Sequence, residues 1–126
     1  MENARRWLGE HKLMWLSVAW YLLCDLADQV TSHFIIHGIW IETNPFARDL
    51  NGAFAWGHAL AYGGVYFIGH LTLGAILYIG IKRWSQFIAQ VAFAVPFIKQ
   101  SMSAFEAAVH NLWIALNWYV PDVLLR

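Results

Sequence analysis

This 126-residue chain has little charge and almost no cysteine: 13% of its side chains are charged, the net charge is zero, and Cys24 stands alone. A single cysteine excludes an intramolecular disulfide framework. Eight basic residues against eight acidic ones leave no electrostatic footprint for nucleic acid and no polybasic patch for anionic lipid headgroups. No glycine-rich phosphate loop, internal repeat or low-complexity stretch occurs, so nucleotide binding and repeat architectures have no support. Ser101, Ser103 and Cys24 lie in no motif that marks a nucleophile beside a base. The basic start, with Arg5 and Arg6, precedes an apolar segment too long for a signal-peptide core and without a cleavage site, which reads as a retained first span.

What fills the chain instead is apolar: 60% hydrophobic residues, including 8 Trp, 5 Tyr and 8 Phe. Ordinary soluble domains carry about twice this charged fraction. The composition predicts an all-α integral membrane protein, a single helical domain with three spans at approximately 13–40, 54–81 and 87–120, each longer than the ~20 residues a bilayer core requires. Pro96 predicts a kink in the third; the alternative is a fourth, short span over 84–98. Arg5, Arg6 and Lys12 precede the first span and Lys82 and Arg83 follow the second, whereas the loop between them has only Arg48. The positive-inside rule therefore puts the N-terminus in the cytoplasm and the C-terminus outside. Trp7, Trp15 and Trp84 then fall at the inner interface, with Trp40, Trp56 and Trp118 at the outer one. Ala55, Ala59 and Gly63 recur every four residues, a small-residue stripe that permits close helix contact.

Against this background the polar residues carry the information. Asp25, Asp28, Thr31 and Ser32 fall within roughly a 120° arc of the first span, and Lys99, Ser103, Glu106, His110 and Asn117 within about 60° of the third. An acid at mid-membrane costs roughly 2.5–3.5 kcal/mol, so both stripes are expected to face the protein interior, joined by His70. The predicted buried network comprises Asp25, Asp28, Thr31, Glu42, Asn44, His70, Lys99, Glu106, His110 and Asn111. Its plainest role is to lock helices together, with Lys99 answering the aspartates.

Two chemical readings compete with a static network. Glu106 and His110, one turn apart, suit a divalent metal such as zinc, iron or manganese, with Asp28 and His70 as further donors; a chain of the same groups also suits proton transfer. His37, His58, His70 and His110 invite axial ligation of haem or chlorophyll, through His70 or His110 foremost. The leading function is a non-enzymatic subunit or stabiliser of a larger membrane complex, with lipid and other membrane subunits, or further copies of itself, as partners. Twenty-one aromatics offer more contact surface than three spans need for themselves.

The order of features also resembles a family. Asp28 or Asp25, then Thr31, Gly38, Glu42, Asn44, Pro45 and a late Asn111 are similar to the D…T…G…E-x-N-P pattern of an uncharacterised family of small prokaryotic multi-span membrane proteins. That resemblance implies a compact three-to-four-helix fold in a prokaryotic inner membrane with its acid and amide groups gathered inside. It implies no reaction.

Overall fold

The computed structural model describes residues 2–34 and 55–124. Four helices make up the fold: α1 (Glu2–Glu10), α2 (Lys12–Phe34), α3 (Trp56–Ile81) and α4 (Gln86–Leu124). No described residue is in a strand, so the all-helical class stands. Residues 35–40 of the expected first span, and Glu42 and Asn44 with it, lie outside the described residues. The second span coincides with α3 to within two residues. The third is α4, one helix assigned without a break through a buried Pro96. Residues 86–98 of the alternative short span belong to that same helix. The missing N–H of Pro96 leaves one carbonyl a turn earlier without its helical donor, a local loss that flanking packing outweighs.

α4 is the central element, packing against both α2 and α3. Contacts at the two ends fix the directions. Gln90 Nε2 donates to the Glu10 carbonyl at 2.8 Å, and at the far end Asn111 reaches Ser32, so α2 and α4 run parallel. His11 meets Tyr78 at the first end and His33 meets Trp56 at the second, so α3 runs antiparallel to both. The junction of α1 and α2 is pinned by His11: its Nδ1 donates to the Trp7 carbonyl at 2.9 Å and its Nε2 is hydrogen-bonded to the Tyr78 hydroxyl at 2.9 Å. Trp7 stacks on the same imidazole at 4.6 Å.

The core is aromatic. Val18 and Tyr21 of α2 meet Phe93 and Phe97 of α4, with Met14, Phe67 and Tyr78 packed around them. Phe97 is fully enclosed; Phe93 stacks on it at 5.2 Å and Tyr21 meets it edge-on at 5.6 Å. Such pairs contribute roughly 0.5–1.5 kcal/mol each beyond burial. Small residues set the helix spacing: Ala89, Ala94, Ala104 and Ala108 of α4 are buried, and a Cβ on Gly74 would sit 2.9 Å from Phe93 Cδ2 and 3.0 Å from its carbonyl oxygen. The stripe of Ala55, Ala59 and Gly63 turns inward as its spacing predicts.

Outside this core the surface is apolar. Leu60, Val65, Ile68, Ile76 and Ile79 of α3 are 62–68% exposed, and Leu23, Phe87, Met102 and Trp113 on the other helices are comparably bare. Among the described residues α3 is the one helix that is both long and apolar enough to cross a membrane, and hardly any of it is buried. A core helix of a soluble protein would be mostly covered. α2 and α4 have the length, but Asp25 and Asp28 dilute the first and Lys99, Glu106 and His110 the second.

Candidate functional site: an acidic cavity between three helices

Asp25 and Asp28 are one turn apart on α2 and share a cavity of about 370 Å³ with groups from α3 and α4. Gln29 completes the α2 wall. α3 supplies Tyr62 and Tyr66 and, between them, the small side of the cavity at Ala59 and Gly63; a Cβ on Gly63 would come within 3.9 Å of Asp25 Oδ2. From α4 come Gln100, Ser103 and Ala104. The space exists because two small residues stand where larger ones would close it. Gln29 lies one turn beyond Asp25 on the same wall, and its Oε1 is buried without a hydrogen-bond partner.

Beside the cavity a second polar group joins α2 to α4. The amide nitrogen of Asn111 donates to Thr31 Oγ1 and Ser32 Oγ, each at 3.1 Å, and lies 3.5 Å from Asp28 Oδ1. Thr31 Oγ1 in turn donates to the Asp28 carbonyl at 3.0 Å. Asp28, Thr31 and Asn111, three residues of the sequence pattern noted above, thus meet although 80 positions separate Thr31 from Asn111. Buried Ser17 and Ser101 satisfy their hydroxyls locally, on carbonyls three residues back.

The remaining predicted members do not join. Lys99, Glu106 and His110 are exposed, as are Ser103 and Asn117, on the side of α4 roughly opposite Phe97, Ala104 and Ala108. Lys99 forms no ion pair with either aspartate. The physical reason is that α4 has two polar faces, and the inward one is the face whose residues let helices approach closely: alanines, Ser101, Gln90 and Asn111 around two phenylalanines. Long charged side chains would hold the helices apart. His70 is half-buried among Tyr21, Tyr66 and Phe97, its Nδ1 donating to the Tyr66 carbonyl at 2.6 Å. It lines a separate, apolar pocket with Val65, Gly69 and Leu73, not the acidic cavity. His110 stacks on Trp113 outside.

A metal centre built from Glu106, His110, Asp28 and His70 is therefore not assembled: among the described residues no three His, Cys, Asp or Glu side chains gather around one point. Sequence reasoning missed Tyr21, Gln29, Tyr62, Tyr66 and Gln100. A signal for them existed, since Asp25 and Gln29, and Tyr62 and Tyr66, are four apart and share a face with residues already singled out.

The arrangement defines a class: a helical chain with an aromatic core, an apolar exterior and an acidic cleft between three helices. Comparison with family models, curated proteins and solved structures finds no match to this chain.

Proposed function

We propose that this chain is a small integral membrane protein of three spans, α2, α3 and α4, with its N-terminus cytoplasmic, that works as a component of a membrane assembly. One observation carries the reading: Lys99, Glu106, His110 and Asn117 lie on the exposed side of α4, turned away from its own bundle. At lipid depth each ionised group on that face costs roughly 2.5–3.5 kcal/mol, more than helix packing inside so small a bundle readily offsets. A neighbouring membrane-spanning chain that offers polar partners removes the cost. The bare aliphatic surface of α3 supports the membrane setting, because lipid tails cover it at no expense.

Site-specific cross-linking tests this. In a Cys24→Ala background, Met102→Cys places a thiol beside the stripe and Leu60→Cys places one on the aliphatic face of α3. With a bifunctional maleimide in native membranes, Met102→Cys is expected to give a discrete higher-mass adduct and Leu60→Cys none. Discrete adducts from neither, or from Leu60→Cys alone, contradict the assembly reading.

A further inference from the structure

A net charge of zero conceals an uneven distribution, and the expectation of no polybasic patch does not hold at one end of the bundle. The hydrogen bond between His11 and Tyr78 sets the start of α2 beside the last turn of α3, and the one from Gln90 to the Glu10 carbonyl brings the start of α4 to the same place. Five exposed bases, Arg5, Arg6, Lys12, Lys82 and Arg83, therefore share this end with two acids, Glu2 and Glu10. Arg6 pairs with Glu10 at 3.0 Å, the one ion pair at this end among the described residues, and the other four bases form none. Three tryptophans, 46–73% exposed, stand among them. Trp7 stacks on His11, Trp15 meets Trp7 edge-on at 5.7 Å, and the Arg83 guanidinium lies 4.5 Å over the ring of Trp84. A guanidinium stacked on an aromatic face keeps its N–H edge free, and that edge matches two oxygens of one phosphate.

We propose that this end of the bundle is a headgroup site for anionic phospholipids of the inner leaflet, with Lys12, Lys82 and Arg83 answering the phosphate. The exposed indoles favour a lipid over a soluble polyanion, because tryptophan settles at headgroup depth, where one side of the ring is apolar and the other wet. A zwitterionic headgroup carries its own cation and offers less to four unpaired bases. Each Lys or Arg near an anionic surface strengthens the association about fivefold. The site rests on the reading that α2, α3 and α4 cross a bilayer, and not on what covers the outward face of α4.

Quenching of tryptophan fluorescence by lipids brominated in their acyl chains tests the site on the full-length chain reconstituted in phosphatidylcholine vesicles. Brominated phosphatidylcholine reports whether the chain lies in the bilayer, and brominated phosphatidylglycerol, added in the same steps, reports the headgroup preference. Both are expected to quench, with phosphatidylglycerol taken up at least about fivefold more strongly at low salt. The preference is expected to fall towards one in about 1 M potassium chloride, where the screening length is about 3 Å. Lys12→Gln, Lys82→Gln and Arg83→Gln combined are expected to remove most of the preference while quenching by brominated phosphatidylcholine persists; all three positions are exposed, so helix content is expected to stay unchanged. Lys99→Gln, an exposed base far along α4 from this end, is expected to keep the preference. Equal uptake of the two lipids overturns the site and leaves the spans in place, whereas no quenching by either overturns the membrane reading and the site with it. A preference that survives in the triple variant, that is lost in Lys99→Gln, or that inorganic phosphate abolishes at matched ionic strength also overturns the proposal.

Discussion

Asn111 shows how much one side chain does when its neighbours are apolar. Its amide nitrogen faces three oxygens of α2, from Thr31, Ser32 and Asp28, and so ties α4 to α2 at that end. Asn111→Leu keeps the volume and removes the donor that Thr31, Ser32 and Asp28 share. Interhelical hydrogen bonds within membranes average about 0.6 kcal/mol and reach about 1.7 kcal/mol, and here one donor serves several acceptors. Asn111→Leu is expected to lower stability by about 1–2 kcal/mol in a denaturant titration in detergent, whereas Asn117→Leu, whose amide bonds only the Trp113 carbonyl of its own helix, is expected to change it by less than about 0.5 kcal/mol. Gly74 acts through space. The nearest atoms to its missing Cβ include the backbone oxygen of Phe93, which cannot swing aside as a side chain can. Gly74→Leu is expected to cost about 1–3 kcal/mol by forcing α3 off α4, measured in the same titration.

At the scale of elements, α4 decides the structure by choosing between its two polar faces. The inward face carries short groups that bond locally or once across the interface, and the outward face carries the charges. Periodicity alone gives both stripes and does not rank them, since the cost of an exposed charge argues for turning Lys99 and Glu106 inward while packing argues for turning Phe93 and Phe97 inward. Packing wins, because Phe97 and its neighbours form contacts with two helices at once. Hence Asp25, Asp28, Thr31 and Asn111 were legible as interior residues, and Lys99, Glu106 and His110 were not legible as exterior ones. The helices themselves were read closely, α3 best of all, because a long apolar run between Trp56 and the Lys82 and Arg83 pair admits few other readings. The small α1 lay below that resolution: its role depends on His11 finding Tyr78 across 67 positions. Tyr78→Phe removes the hydroxyl that serves Nε2 and is expected to cost about 1 kcal/mol, with increased hydrogen exchange confined to α1 and the start of α2.

For the molecule as a whole, the distribution of exposure is the dominant fact. Aromatic and small residues fill the narrow seams, and large aliphatic residues are left outside on all three long helices. A monomeric protein in water rarely tolerates apolar patches beyond a few hundred Å². In a bilayer the same surface is the ordinary outer face, and the polar groups then divide into those gathered between the helices around Asp25 and Asp28 and those on α4 that require a neighbour. The account stands on the three long helices each crossing the bilayer, which sets alternating sides for the chain. A reporter active only outside the cytoplasm, inserted after Trp84 in one fusion and placed after Arg126 in another, reads those sides directly. The account predicts an inactive reporter after Trp84 and an active one after Arg126; the same state at both positions would contradict it.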